Sequence, residues 1–204
     1  TTIKVVPLGN YLDKPALIGQ KTLTLPERYV LFVGKRDYYK NFDTFLASMA
    51  PILLKDKDLH LVCGGGGKFS NEEIRSINEA GVEKQVLYHP IFDDTTLVQL
   101  YERALLFVFP SLMEGFGLPV LEAMSCGCPV AVTAGTSFDE IADEAGVYFE
   151  AENKDSIKDA VEKVVYSQTL QGQMRQRGYE RVPLFKAETT AKQTLEVYKE
   201  LVNA

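Results

Sequence analysis

The chain has 204 residues, 46% apolar and 25% charged, the balance of an ordinary soluble globular domain long enough to bury one sizeable core. A net charge of −6 and a pI near 5.1 argue against a surface built to neutralise a nucleic-acid backbone, which needs a clustered excess of Lys and Arg. No apolar run approaches the roughly 18 to 20 residues of a membrane span, and the opening residues lack the charged-then-apolar pattern of a signal peptide.

From the N-terminus, residues 3–8 read as a short strand, and a start without Met that runs straight into such a segment suggests that further N-terminal sequence belongs to the protein. From residue 29 onward apolar runs alternate with helical patterns, the signature of strand-helix-strand units around a parallel sheet. YVLFVG (29–34) is a buried strand, 42–54 a helix and LHLVCG (59–64) a second strand ending in four glycines. A helix capped by Ser70 follows, then a strand over 85–90, a helix capped at Asp93 or Asp94, and a strand over 104–110. After a loop, Pro119 sits in the first turn of a helix that runs to about Ser125, with a strand over 129–133 beyond it. VYFE after Gly146 is the last strand, and 154–168, 170–181 and 187–202 are helices. No repeat or low-complexity stretch marks a second module, so the expected fold is a single α/β, doubly wound parallel sheet.

Cys63, Cys126 and Cys128 are an odd set without zinc-ligand spacing; they read as small core residues in a reduced, cytoplasmic compartment. The unusual residues fall elsewhere. Every polar or Gly-rich stretch of the sheet region lies just after a strand, where ligands of open α/β sheets bind and helix N-termini point backbone N–H groups at anions.

GKRDYYKN (34–41) places Arg36 and Lys40 four residues apart, able to face one anion or to stand as solvated loop charges. GGGG (64–67) permits close backbone approach but is not G-x-G-x-x-G opening a helix, and serves equally as a flexible turn. In MEGFGLPVLEAM (113–124), Glu114 and Glu122 bracket a Gly-Phe-Gly turn and a helix start. Carboxylates repel phosphate, so at a shared site they would accept hydrogen bonds from sugar hydroxyls; otherwise Glu122 is a helix-dipole partner and Glu114 a solvated acid. Asp56-Lys57-Asp58, a D-x-D string, precedes a strand and reads as a polar turn at the wrong edge.

The 113–124 segment resembles the E-x7-E motif of retaining glycosyltransferases, and Glu122 to Val130 resembles the EAMACGxPV string that follows it. Thr136-Ser137 through Glu140-Ile141 resembles the family's S-x-P-E-I/V, with Asp139 in place of the proline. GKRDYYKN resembles the G-x-R-x-x-x-K-N donor-phosphate loop, VPLGN (6–10) the interdomain VIPNG segment, and residues 188–201 the closing helix. The similarity covers nearly the whole chain and is to glycosyltransferase family 4, whose members pair two Rossmann-like domains in the GT-B arrangement.

That resemblance implies the C-terminal, nucleotide-sugar-binding half of the enzyme, with the acceptor domain outside this chain. Arg36 and Lys40 would hold the donor diphosphate and Glu114 the hydroxyls of the transferred sugar. Backbone of Phe116, Gly117 and Leu118 would support sugar and phosphate, Glu122 would bind the ribose, and Gly34, Ile91 and Phe92 would border the nucleotide. The expected reaction moves a hexose, with mannose from GDP-mannose favoured, to an acceptor hydroxyl of a glycan or lipid-linked glycan. Retention would follow from a front-face mechanism without a covalent nucleophile. No metal and no cofactor would be required, and the full-length protein would lie in the cytoplasm or peripheral to the membrane. A sugar-nucleotide-binding module without catalysis, a sugar-nucleotide epimerase and a dinucleotide oxidoreductase are the competing readings.

Overall fold

A computed structural model describes residues 3–10, 12 and 22–202. Six strands form one parallel sheet in the order β3-β2-β1-β4-β5-β6. They are β1 (Arg28–Val33), β2 (Leu59–Gly64), β3 (Val86–His89), β4 (Leu106–Phe109), β5 (Val130–Thr133) and β6 (Gly146–Phe149). The runs are apolar almost throughout because helices cover both faces. Val30 and Phe32 of β1 enter one core, while Tyr29 and Leu31 enter the other.

The first core is closed by α1 (Phe42–Lys55), α2 (Asn71–Glu79) and α6 (Lys154–Val165), with Met174 of α7 (Gln168–Arg181). In α1, Phe42, Phe45, Leu46, Met49 and Leu53 recur at helical spacing and are all buried. The helix continues through Pro51, although proline there removes a backbone donor. The second core lies under α3 (Asp94–Arg103), α4 (Leu118–Ser125) and α5 (Phe138–Ala142). Ser70 caps α2 in a reciprocal capping box with Glu73, and Asp93, not Asp94, caps α3 through the Thr96 N–H.

The expected strand over 3–8 is corrected. Ile3 and Val5 are largely exposed and the segment joins no sheet; it runs beside α8 (Ala187–Val202) instead. There Thr190 donates to the Pro7 carbonyl at 2.7 Å, Asn10 N–H donates to Phe185 O at 3.0 Å, and Lys4 pairs with Glu200. An apolar alternation makes a strand only where a sheet edge is free to pair, and at this place the neighbour is a helix. α5, five residues long, is an element that the sequence pattern did not mark.

All strands point the same way, so the loops following them gather at one edge. Connections leave β1 toward β2 on one side, while β4 lies on the other. The crevice between the ends of β1 and β4 is therefore the topological switch point, where this architecture leaves room for a ligand.

Candidate functional site

Two loops flank that crevice. Residues 34–41 leave β1 through Gly34, whose φ of +113° suits glycine and whose N–H donates to Gly64 O at 2.9 Å. A 3-10 turn over Tyr38–Lys40 follows and ends at Asn41, which takes the left-handed conformation. The Asn41 amide donates to Ala151 O at 2.7 Å, anchoring the start of α1 to the loop beyond β6. Across the crevice, the Leu112 N–H donates to Tyr39 O at 2.8 Å and clamps the two loops together.

This clamp fixes the central contact. Lys40 Nζ lies 2.6 Å from Glu114 Oε1 and 4.5 Å from the centre of the Phe109 ring. The two charged side chains are 12% and 18% exposed, enough shielding to strengthen the pair and enough access for a ligand to compete for either member. The Glu114 loop is held from behind by Ser137, whose hydroxyl donates to Phe116 O at 2.8 Å and reaches Glu114 O at 3.2 Å. Phe116 packs edge-on against Phe185.

Gly117 then opens α4 with φ +118°, and a Cβ there would lie 2.8 Å from the Phe138 ring, so glycine is required on two counts. No side chain caps α4, Pro119 has no N–H and the Val120 N–H donates to Gly117 O at 2.9 Å, so among the described residues the Leu118 N–H is the donor of this first turn that points outward without a protein acceptor.

Glu122, one turn further along α4, accepts a hydrogen bond from the buried Tyr101 hydroxyl at 3.3 Å. Burial raises its pKa, the Tyr101 bond opposes that, and the negative Asp94 at the start of α3 raises it further. Among the described residues no cation pairs with it. The carboxylate thus stands half-buried in surroundings that disfavour its charge.

Arg36 is placed differently from Lys40. Its side chain is 3% exposed, with Nε 2.5 Å from Glu73 of α2 and the guanidinium donating to the carbonyls of Gly65, Gly67 and Lys68. It also lies 4.9 Å from the centre of the Phe69 ring. The two cations of GKRDYYKN thus hold separate carboxylates instead of converging on one anion. Arg36 fastens the glycine loop after β2, where a Cβ on Gly66 would fall 2.2 Å from the Gly34 carbonyl oxygen.

Ile91 is half-buried over that glycine loop, against Gly64 and Gly65, while Phe92 is 84% exposed on the same rim. His89 Nδ1 stays on the neighbouring Pro90 carbonyl, a strand-end role. Asp56 lies at the opposite edge, paired with Arg28 at 3.0 Å and bonded by the Tyr166 hydroxyl, in keeping with a structural turn. Cys63, Cys126 and Cys128 are buried without a disulfide, and burial pushes the Cys63 thiol up to about 12.

Asn41 and Ser137 enter the sequence reading only inside the matched strings 34–41 and 136–141, without a role of their own, and Tyr101 and Glu73 do not enter it; the signal that Glu73 carries, its spacing from Ser70, announces a helix cap and not a partner for Arg36. Two buried hydroxyls at the same edge, Ser111 after β4 and Thr133 at the end of β5, make no hydrogen bond among the described residues.

Comparison with known proteins places this architecture. Residues 13–181 match the family described as Glycosyl transferases group 1. The chain is 30% identical over 173 residues to the O-antigen chain mannosyltransferase B of Escherichia coli, covering 84% of this chain and 45% of that protein. It superimposes on sucrose-phosphate synthase from Thermosynechococcus elongatus with a TM-score of 0.81 at 27% identity, over 98% of this chain and 53% of that one. It also matches the crystallised C-terminal domain of a glycosyl transferase group 1 family protein from Francisella tularensis, with a TM-score of 0.66 at 26% identity, over 78% of this chain and 87% of that one. The chain spans about half the length of the curated relative it matches. With its Rossmann-like parallel sheet and the E-x7-E loop at the switch point, this chain belongs to the glycosyl transferases group 1 family.

Proposed function

We propose that the protein transfers a hexose from a nucleoside-diphosphate sugar to an acceptor hydroxyl, with retention at the anomeric carbon, in the assembly of a polysaccharide or glycan. The observation that carries this reading is the Lys40–Glu114 pair, held at 2.6 Å in front of the uncapped N-terminus of α4. A cation and a carboxylate at one mouth suit a ligand that is anionic at one end and hydroxylated at the other.

On this reading Lys40 and the Leu118 N–H at the start of α4 receive the diphosphate. Negative charge grows on the leaving phosphate as its bond to the anomeric carbon breaks, and preorganised donors meet that charge without reorganisation. Glu114, displaced from Lys40 by phosphate, turns to the hydroxyls of the sugar. Glu122 accepts from the ribose, and Ile91 and Phe92 border the base. The acceptor hydroxyl forms its bond on the face that the phosphate leaves, giving its proton to that phosphate, so Glu114 is not a covalent nucleophile. Arg36 contributes by holding the loop that carries Lys40. Since Lys40 and the α4 dipole supply the positive charge, the reading calls for no metal.

The acceptor is assigned to the part of the relatives that this chain does not cover, so the chain alone binds donor and barely transfers. Mannose is the favoured sugar and GDP the favoured nucleotide, supported by the likeness to an O-antigen mannosyltransferase. Among the described residues no helix is long and apolar enough to cross a membrane, and we place the protein in the cytoplasm or against the membrane face. Calorimetric titration of the chain with GDP-, UDP- and ADP-sugars tests the proposal. Saturable binding, tightest for GDP-mannose and lost in Lys40→Ala, is expected; no binding by any nucleotide sugar would defeat it.

A further inference from the structure

A row of four aromatic rings runs beneath the crevice. Tyr101 of α3 meets Phe107 of β4 edge-on at 5.3 Å, Phe107 stacks with Phe109 at 5.6 Å, and Phe109 lies 5.3 Å from Phe138 of α5. Strand alternation sends Phe107 and Phe109 into one core and Leu106 and Val108 into the other, so Phe109 is the last ring of β4 before the chain enters the Glu114 loop. All four rings are buried, and the neighbours of Phe109 in the row fix its tilt.

Three of these rings reach groups that the donor reading uses. The Tyr101 hydroxyl donates to Glu122, Phe138 backs Gly117 at the start of α4, and the Lys40 ammonium sits 4.5 Å from the centre of Phe109. The first two contacts are a hydrogen bond and packing. The third is electrostatic: a ring face is partly negative and attracts an ammonium group without neutralising it, as a carboxylate would.

In the free chain Lys40 has two restraints, the Glu114 carboxylate at 2.6 Å and the ring. When a phosphate displaces Glu114, the first restraint goes and the ring stays. A long lysine stem loses rotamer freedom on being fixed, so a ring that already holds the ammonium removes that ordering from the binding step. Tyr39 is a second ring at 5.1 Å, but it is 45% exposed, and a cation–π contact weakens where water competes, so the buried ring dominates. An aliphatic side chain in place of Phe109 fills the space without attracting the charge.

We propose that Phe109 is a positioning residue of the donor site: its face holds the Lys40 ammonium where the diphosphate arrives and keeps it there once Glu114 has turned away. The inference rests on the donor reading for the identity of the anion; its own content is the hold of the ring on Lys40.

The test is calorimetric GDP binding to the 204-residue chain carrying mono-, di- or trifluorinated phenylalanine at position 109, in the parent sequence and in Lys40→Ala. Fluorine keeps the ring nearly the same size while drawing negative charge from its face, so these chains retain the core packing that Phe109→Leu would lose. GDP affinity is expected to fall stepwise with each added fluorine, by about five-fold for the trifluorinated ring, and to stay level across the series in Lys40→Ala. A series that is flat in the parent sequence, or that falls equally in Lys40→Ala, overturns the role of Phe109 and leaves the donor site standing. If no chain binds GDP, the parent included, the donor reading falls and this role falls with it.

Discussion

Replacing Lys40 by Ala separates two roles that the structure gives to one side chain. In the free protein Lys40 neutralises Glu114 at 2.6 Å, with both groups mostly shielded. Removing one member of a fully buried pair costs about 3–5 kcal/mol, and the residual exposure here lowers that to about 2 kcal/mol. In the complex, a lysine about 4 Å from a phosphate contributes roughly 4 kcal/mol at an effective dielectric near 20. Part of that is offset because Lys40 must leave Glu114, so the net loss of GDP affinity on Lys40→Ala is about 2–3 kcal/mol, or roughly 30- to 150-fold. Glu114→Gln acts in the opposite sense. It frees Lys40, so GDP binds as well as before or better, while GDP-mannose loses its advantage over GDP. Urea unfolding and calorimetry on both variants and the double variant measure the stability and binding parts separately. A folded Lys40→Ala that binds GDP within about two-fold of the parent chain would refute the reasoning.

Three further outcomes follow from named contacts. Glu122 has a folded pKa above its ordinary 4.5, so the folded chain holds its proton to higher pH than the unfolded chain, and stability falls as pH rises through that interval and stays lower above it. Thermal melts of Glu122→Gln should therefore match the parent at pH 4 and exceed it at pH 7.5, while nucleoside affinity drops about ten-fold or more. Arg36→Ala breaks a buried ion pair and three carbonyl contacts, and should cost about 3–5 kcal/mol in urea unfolding, with faster amide exchange over 64–68. Arg36→Lys should not restore it, because an ammonium cannot reproduce the guanidinium fork. Gly117→Ala meets both a positive φ and the Phe138 ring, and should lose about 1–3 kcal/mol of stability along with nucleotide binding measured by calorimetry.

The sheet was legible because burial on both faces leaves its strands as compact apolar runs, and YVLFVG and LHLVCG announce themselves as such. Boundaries were less so: the strand expected over 104–110 is Leu106–Phe109, because Ala104 still closes α3 and the chain turns away after Phe109. The apolar run over 3–8 reads as a strand, and the structure sets it beside α8 instead, since pairing depends on a neighbour that local sequence does not reveal. For the site, Glu114, Gly117 and Glu122 stood out because carboxylates around a Gly-rich helix start are unusual. Arg36 and Lys40 were expected to act together from their spacing. That spacing has a fixed geometric meaning only on a continuous helix. Here it crosses a loop and a 3-10 turn, so the two side chains part, and the partner that takes Arg36 lies 37 residues on at Glu73. Asp56 shows the converse: its position before a strand was enough to place it at the edge away from the site.

A crystal structure of the chain with GDP bound tests the central claim most directly. The diphosphate should lie at the start of α4, within hydrogen-bond reach of the Leu118 N–H and of Lys40 Nζ, with Lys40 withdrawn from Glu114. Phosphates seated instead on the glycine loop beside Lys68, with the Lys40–Glu114 pair intact, would contradict the account.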